Sequence, residues 1–403
     1  MVLRTAAMLL GSVLLLAPAM AQDNSVIRIG VINDQSGPYA DLGGKGSVIA
    51  AQMAIDDFGG KVRGKPVELI SADHQNKPDI AANIVRQWFD NQNVGLVVDL
   101  TTTAVALAVR ELAENRDKIL IPSAGASSDL TGKYCSPNLI HWTFDSYALA
   151  NVTTKALIKQ GSDSWFFLTG DNSGSIAQEQ DAMKFVKSNG GTVVGSVRHP
   201  LNTSDFSSFL LQAQASKAKV IGLANAGSDT VNSIKQAGEF GITHAGQKLA
   251  SLLMFISDVH AMGLQTAQGL LISTPFYWDA NDETRAWSRR FMAKFGRAPT
   301  MAQAGVYGAM QHYLKTLATT DETSGRAIVK KMKATPVNDF MGHNVQIRED
   351  GRVMRDIYLV QVKTPQESKE PWDYYKILAT VPANEAFRPL SEGGCSFVSG
   401  KAN

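Results

Sequence analysis

The stretch VIRIGVINDQSGPYADLGG, residues 26–44, decides the fold. Its apolar, β-branched run at 26–32 predicts a buried strand, its polar segment at 33–39 predicts a loop, and a helical pattern begins near Gly43. Strand, loop and helix in this order open a βαβ unit. The loop leaves the carboxyl end of the strand, where open α/β sheets hold their ligands. The helix that follows presents free N–H groups, which suit an anion.

Strand and helix signals alternate along the chain in two successive series of similar length. The first series has helices at 47–58, 78–89 and 103–114 and strands at 67–71, 94–98 and 119–122. The second has helices at 148–159, 176–188, 206–215 and 230–240 and strands at 165–169, 192–197, 220–224, 249–255 and 270–273. Such alternation predicts parallel sheets with helices on both faces.

The order of elements then changes, which indicates how the two series connect. Three helices follow at 282–295, 300–319 and 324–333, then strands at 345–347 and 357–362 and an irregular, aromatic tail at 371–394. We therefore expect an α/β fold of two doubly wound parallel-sheet lobes. The chain would cross between them near 143–146, 274–278 and 350–356, and three crossings form a hinge. The first lobe would comprise residues 22–143 and 276–350, and the second residues 144–275 and 351–403.

Residues 1–21 have the pattern of a secretory signal peptide. Arg4 supplies the basic n-region, residues 6–16 form an apolar core, and Ala19-Met20-Ala21 is an A-x-A site. The alternative, an uncleaved anchor, is disfavoured because the apolar run is too short to span a bilayer. We therefore expect cleavage after Ala21 and export of a soluble protein to a bacterial periplasm.

Composition and motifs exclude several classes of function. A net charge of +2 favours no nucleic-acid partner. The histidines form no i, i+4 pair and no H-E-x-x-H motif, so we expect no metal site. The glycines at 43–46 match neither the dinucleotide fingerprint nor the P-loop. We expect no cofactor and no catalysis, because the remote alternative, an exported hydrolase that uses His74 or Asp171, lacks a G-x-S-x-G motif.

The chain has two cysteines, Cys135 and Cys395. An oxidising compartment would permit a disulfide between them. Two separate buried thiols are the alternative, since unpaired cysteines are often buried.

Three loops at the carboxyl ends of first-lobe strands are rich in hydroxyl groups or small residues: 36–39, 101–103 and 123–128. Hydroxyls and helix N-termini together form a cradle for a carboxylate, although the threonine run alone is equally explained by helix capping. An aromatic segment, 276–278, lies at the second predicted crossing. It either packs the hinge or walls an apolar ligand pocket.

These segments together resemble the type I periplasmic binding proteins of the branched-chain amino-acid (leucine/isoleucine/valine) class, the solute receptors of ABC importers. The similarity covers nearly the whole chain after the signal peptide. It rests on IRIGVINDQSGPYADLGGKG, TTTAVALAV, ILIPSAGASSDLTG, WFFLTGDNSG, AGSDT, SDVHAMGLQTAQGL and PFYWDANDETRAWSRRF. It implies a small-molecule ligand trapped between two lobes and an ABC permease in the inner membrane as partner. We expect the receptor itself to be a monomer.

The resemblance also implies which residues contact the ligand. The loops that hold the ligand's carboxylate in the family correspond here to Thr102 or Thr103, Gly125 and Ser127. With the second-lobe contacts and the apolar wall, the expected ligand-binding set is Ser36, Tyr39, Thr102, Thr103, Gly125, Ala126, Ser127, Asn172, Ser173, Asn225, Gly227, Met254, Phe276 and Tyr277.

The main departure from the family concerns the ligand's ammonium group. Amino-acid binders of this type place an acid soon after the strand near Leu249, but here residues 252–255 are Leu-Leu-Met-Phe and no acid occurs before Asp258. An unpaired buried ammonium would be costly. We therefore expect a ligand without one, while a hydrophobic amino acid held by Asp258 or Asp229 stays as the alternative.

A second departure lies near Asn172, where relatives often carry an aromatic side chain. Its absence leaves room for a ligand or removes a stacking face. With Tyr39, Tyr277 and Trp278 as apolar walls, the chain resembles a branch found near importers of plant-derived aromatic acids. We therefore expect the ligand to be a small apolar or aromatic carboxylate.

Overall fold

The computed structural model describes residues 25–398. The predicted signal peptide and its cleavage site therefore lie outside the described residues. The strands are β1 (Ile27–Asn33), β2 (Lys61–Val62), β3 (Lys65–Asp73), β4 (Val94–Asp99), β5 (Ile119–Pro122), β6 (Ser164–Gly170), β7 (Thr192–His199), β8 (Val220–Ala224), β9 (Lys248–Ser251), β10 (Leu271–Thr274), β11 (Val337–Asp339), β12 (Gly342–Val345), β13 (Ile357–Val362) and β14 (Tyr375–Val381). The helices are α1 (Gly44–Phe58), α2 (Pro78–Asn91), α3 (Thr103–Asn115), α4 (Ser146–Lys159), α5 (Ser173–Ser188), α6 (Ser207–Ala215), α7 (Ser228–Glu239), α8 (Ile256–Met262), α9 (Leu264–Ala267), α10 (Asp282–Phe295), α11 (Met301–Ala318), α12 (Gly325–Ala334) and α13 (Ala383–Ala386).

The first lobe is built on a five-stranded sheet with strand order β2-β3-β1-β4-β5. Its strands are parallel except for β2, which forms a hairpin with β3. Side chains alternate between the two faces of β1. Ile29 and Val31 belong to the core formed with α1 and α11, whereas Ile32 belongs to the core formed with α2 and α3. Burial on both faces explains the continuous apolar run at the start of the chain.

The second lobe contains a parallel sheet with strand order β7-β6-β8-β9 and an antiparallel sheet with strand order β10-β13-β14. The same alternation operates in β6: Phe166 and Leu168 lie in one core and Trp165 and Phe167 in another. The predicted fold class of two α/β lobes is confirmed. The antiparallel sheet is an addition that the alternation pattern does not predict.

The chain passes between the lobes in three places, after β5, after β10 and before β13. The first and third crossings run side by side. The His141 N–H donates to the Gly351 carbonyl (2.9 Å), and the Val353 N–H donates to the His141 carbonyl (3.2 Å). The hinge therefore has a backbone hydrogen-bonded core, while the residue bounds of the two lobes stay a prediction.

The prediction that the tail at 371–394 is irregular is wrong. It contains β14, which pairs with β13 in antiparallel register from Ile357–Val381 to Val362–Tyr375. Most of β14 is exposed, and its sequence YKILATV has no clean alternation of apolar and polar residues. A strand at the edge of a sheet, packed on little of its surface, gives no period-2 signal in the sequence.

A disulfide joins Cys135, in the first lobe, to Cys395, in the tail, across 260 residues of sequence. The tail also contacts the second lobe, because the Asn151 side-chain amide donates to the carbonyls of Glu385 (2.8 Å) and Ala386 (2.9 Å). The alternative of two separate thiols is therefore wrong in this structure. The tail links both lobes beside the hinge.

The disulfide predicts that the mature protein exposes no titratable thiol in denaturant without a reductant. After reduction, both cysteines should react, because the chain has two cysteines and both are in this bond. A thiol-reagent titration of the unfolded chain, with and without reductant, is the measurement. Two reactive thiols before reduction would show that the bond does not form.

Candidate ligand-binding site

A cavity lies between the two lobes, at the carboxyl ends of the first-lobe strands. It encloses about 360 Å³, open solvent at its mouth included. The residues that line it are Tyr39, Leu42, Thr101, Thr102, Thr103, Ala124, Ala126, Asn172, Gly174, Ser175, Gln178, Ala226, Leu253 and Phe255.

Two helices from opposite lobes begin at this cavity. Thr102 caps α3, and its hydroxyl oxygen accepts the Val105 N–H at 3.4 Å. Asn172 caps α5, and its side-chain oxygen accepts the Ser175 N–H at 3.0 Å. Both are residue types that favour a helix N-cap. Because a helix N-terminus carries partial positive charge and unpaired N–H groups, the pair of helices favours an anion between them.

The threonine hydroxyls at the first-lobe wall are held in place by backbone groups. The Thr103 oxygen accepts the Ser127 N–H (3.1 Å), and the Thr101 oxygen accepts the Asp34 N–H (3.1 Å). A hydroxyl that accepts one hydrogen bond still has its own proton to donate. Both threonines therefore offer a donor that suits a ligand carboxylate.

The residues that line the cavity in the described part of the chain include no charged side chain. The two carboxylates predicted as alternative ammonium partners lie elsewhere. Asp258 accepts the Phe255 N–H at 2.9 Å, and burial raises its pKa to about 7. Asp229 accepts the N–H groups of Asn202 (3.2 Å) and Thr203 (3.0 Å), and burial raises its pKa to about 6. Both carboxylates thus bind backbone groups rather than face the cavity.

The rest of the wall is apolar. Leu42 and Tyr39 come from the first lobe, and Leu253 and Phe255 come from the segment after β9. Phe255 is buried and lies edge-on to Phe144, with ring centroids 6.0 Å apart. The cavity therefore combines a polar, electropositive side with a hydrophobic side.

The lobes touch each other at the rim of this cavity. Across the cleft, the Ser228 N–H donates a long hydrogen bond of 3.5 Å to the Pro38 carbonyl oxygen. The Ser128 hydroxyl donates to the Asp181 carboxylate at 3.0 Å. Asp181 is half-buried and also accepts a hydrogen bond from the Ser146 hydroxyl, and desolvation raises its pKa to about 6. These contacts join the lobes in a closed arrangement.

Five of the ligand-binding residues expected from the sequence line the cavity: Tyr39, Thr102, Thr103, Ala126 and Asn172. Those in the first lobe that do not line it have other partners. Ser36 donates to Asp73 at 2.5 Å. Ser127 accepts the Asp129 N–H and caps a short 3₁₀ turn. The Gly125 carbonyl accepts a hydrogen bond from the His141 ring at 2.6 Å.

Three second-lobe residues that the sequence predicts as ligand contacts, Ser173, Asn225 and Gly227, do not line the cavity. Ser173 is exposed. Asn225 is buried, and its side-chain oxygen accepts a hydrogen bond of 2.8 Å from the Thr230 hydroxyl. Its neighbour Ala226 lines the cavity. Gly227 lies at the rim, against Pro38. The loops were identified, but the residue that faces the cavity differs because turn geometry, not sequence position, sets the direction of each side chain.

Met254, Phe276 and Tyr277 line a separate, smaller cavity of about 230 Å³, which shares Phe255 with the first. The Tyr277 hydroxyl donates to Asp373 at 3.1 Å, so this side chain is tied to the tail. The structure therefore favours the hinge-packing interpretation of the aromatic segment at 276–278.

Sequence reasoning missed several lining residues, of which Ser175 and Gln178 form a pattern. They follow Asn172 at intervals of three, and such residues share one face of a helix. The other missed residues are Leu42, Gly174, Leu253 and Phe255. Thr101 and Ala124 lie in the predicted loops 101–103 and 123–128, and Ala226 lies in the segment expected to supply second-lobe contacts. A periodicity test anchored on the Asn172 cap could have found the two polar ones.

Neither residue of the hydrolase alternative reaches the cavity. His74 is fully buried, accepts the Asn76 N–H at 2.9 Å, and burial lowers its pKa to about 4. Asp171 is exposed. Residues 25–398 include no cluster of three or more side chains suited to a metal ion. None of the helices in that range has the length and apolar character needed to cross a membrane.

Comparison with known proteins gives a family match. The family model for periplasmic binding proteins matches residues 26–369. A periplasmic binding protein from Burkholderia mallei is 47% identical, with a TM-score of 0.90, over 92% of this chain and 99% of that one.

Two further solved structures have the same fold. A branched chain amino acid ABC transporter periplasmic ligand-binding protein from Burkholderia xenovorans LB400 is 38% identical, with a TM-score of 0.82, over 92% of this chain and 99% of that one. An ABC transporter solute binding protein from R. palustris, in complex with 4-hydroxybenzoate, is 22% identical, with a TM-score of 0.80, over 89% of this chain and 97% of that one. At that identity the last comparison concerns the fold alone.

Proposed function

Because the chain belongs to the periplasmic binding protein family of ABC transporters, we propose that it captures a small carboxylate with an apolar or aromatic body and no ammonium group. The same fold occurs in a protein described as a branched-chain amino-acid receptor and in one that holds 4-hydroxybenzoate. The fold therefore does not select the ligand, and the residues of this chain's own cavity must do so.

One observation carries the proposal: two helix N-termini and the threonine hydroxyls face a cavity that, among residues 25–398, is lined by no charged side chain. Neutral donors and helix N-termini stabilise a carboxylate without a counter-ion. An α-ammonium in the same place would lack a carboxylate partner and would be strongly destabilised. The apolar wall of Leu42, Leu253 and Phe255 would contact the body of the ligand.

The delivery step follows from the closed arrangement of the lobes. A ligand that contacts both walls binds the closed form more tightly than the open form and so shifts the population towards it. The closed form would pass its ligand to a permease in the inner membrane, and the protein would act as a periplasmic monomer after cleavage at Ala21. No catalytic step is part of the proposal, because the cavity offers neither a nucleophile with a base nor a metal cluster among the described residues.

The proposal predicts a thermal shift with aromatic acids but not with amino acids. Ligand at about a hundred times its dissociation constant should add ~2.7 kcal/mol to the free energy of unfolding. The panel would contain benzoate, hydroxybenzoates and phenylpropenoic acids against leucine, valine and phenylalanine. Benzamide is the matched control, because it has the shape of benzoate without the charge and should give a much smaller shift.

A shift with the amino acids and none with the acids would overturn the proposed ligand class. It would mean that the backbone contacts of Asp258 or Asp229 are exchanged for an ammonium. An equal shift with benzamide and benzoate would contradict the role of the helix N-termini.

A further inference from the structure

A polar stripe runs along the face of α5 that contacts the first lobe. It consists of Asn172, Ser175, Gln178 and Asp181, in which each residue neighbours the next on the helix surface because the spacing is three. Three such steps turn by about half a circle, so the stripe winds around the helix as it runs along it. Three of the four have partners. The Asn172 side chain hydrogen-bonds with the Ser175 N–H and with the Ser175 hydroxyl. The Asp181 carboxylate accepts hydrogen bonds from the hydroxyls of Ser128 and Ser146.

Gln178 is the member of the stripe without a partner in the described part of the chain. Its side chain is 2% exposed, and its amide oxygen is buried with no hydrogen bond. The residue lines the cavity between the lobes. Buried side-chain amides are nearly always hydrogen-bonded in proteins. An unpaired amide in the wall of a ligand cavity therefore points to a partner group on the ligand.

The chemistry of an amide restricts what that group is. A glutamine amide is neutral and offers a donor and an acceptor side by side. A hydroxyl group complements the amide, because a hydroxyl can accept a hydrogen bond from the amide nitrogen and donate one to the amide oxygen. A second carboxylate would leave the amide oxygen facing negative charge, and a purely apolar ligand would leave the whole amide unpaired.

We propose that Gln178 is a specificity-determining residue that hydrogen-bonds a hydroxyl group on the ligand, at a position away from its carboxylate. The assignment rests on the proposed function, since it takes the carboxylate to be held by the threonine loop and the N-terminus of α3. The carboxylate contacts then determine binding of the whole ligand class, whereas Gln178 selects hydroxylated members of that class.

The test compares Gln178→Met with the native protein on benzoate and on the 2-, 3- and 4-hydroxybenzoates. Methionine keeps the length of the side chain and removes both polar atoms. The native protein should bind at least one hydroxybenzoate about tenfold more tightly than benzoate. In Gln178→Met this preference should fall to about one. Isothermal titration calorimetry measures each dissociation constant.

The control is Gln180→Met, which removes an exposed glutamine two residues further along the same helix. It should keep the native preference. Thermal unfolding of both variants without ligand checks that each is folded, and Gln178→Leu serves as the second variant if Gln178→Met does not fold.

Other outcomes overturn the inference, and they separate it from the proposed function. An equal loss of affinity for benzoate and hydroxybenzoates in Gln178→Met would mean that the amide contacts the carboxylate instead. Native binding of all four acids with equal affinity would refute the hydroxyl preference while leaving the proposed function intact. Binding of amino acids only would refute both.

Discussion

Gly227→Ala is expected to weaken ligand binding by about a hundredfold, which is ~2.7 kcal/mol. Gly227 lies at the rim of the cavity with a φ of +60°. A Cβ atom there would lie 2.4 Å from the Pro38 carbonyl oxygen of the other lobe. The clash involves backbone, so it cannot be relieved by a side-chain rotation. It can be relieved by opening the lobes.

The reason for a large effect is that the substitution acts on closure rather than on a ligand contact. If the substitution lowers the population of the closed form to about one hundredth of its native value, the apparent dissociation constant rises about a hundredfold. Isothermal titration calorimetry with the tightest-binding acid of the panel measures that change. The open form, which has no such clash, should stay folded.

The matched control is Gly241→Ala. Gly241 has nearly the same φ, +65°, but no atom lies within 4 Å of its added Cβ. It therefore places a side chain at a positive φ without any contact between the lobes. Similar affinities for Gly227→Ala and Gly241→Ala would show that contact at this rim does not limit closure.

Asp339→Ala is expected to lower the free energy of unfolding by about 3–5 kcal/mol. Asp339 ends β11 and holds Arg355 through two hydrogen bonds of 2.9 Å and 2.6 Å. The Arg355 side chain is 1% exposed. It lies in the third crossing, with its guanidinium 5.8 Å from the centre of the Trp142 ring. Removal of the carboxylate leaves a buried, permanently charged group in the hinge.

Denaturant unfolding followed by circular dichroism, at neutral pH, measures this loss. Glu111→Ala is the control, because Glu111 is 76% exposed and pairs with Arg110 at 3.2 Å on the surface. An exposed ion pair contributes less than about 1 kcal/mol. A loss for Asp339→Ala no greater than that of the control would mean that Arg355 finds water or another partner.

The sequence was sufficient to predict the fold class because most of the longer strands and helices carry a local signal. The run at 26–32 is apolar throughout since both faces of the first sheet are covered. Helix starts were also readable, because Thr102 and Asn172 are residue types that favour caps. β14 has no periodic signal because it lies at a sheet edge, and the short elements β2, β11, α8, α9 and α13 were not predicted either.

The site was predicted only in part, because its lining depends on how loops turn and on how two lobes meet. The loop at 123–128 lies at the cleft, where Ala124 and Ala126 line the cavity while Ser127 caps the next turn. Sequence position places a loop at the end of a strand, but the dihedral angles of each turn decide which side chain points inwards.

By itself, then, the sequence determined the two α/β lobes, the family and the lack of an acid after the strand near Leu249. These depend on periodicity and residue type, which are local properties. Only the tertiary structure decided that Asp258 and Asp229 are held by backbone N–H groups, that Gly227 meets Pro38, and that Gln178 faces the cavity without a partner. The contact of Gly227 with Pro38 and the surroundings of Gln178 involve segments far apart in the chain, and they exist only when the lobes are packed together. Asp258 instead binds a residue three positions away, and Asp229 binds a loop of its own lobe.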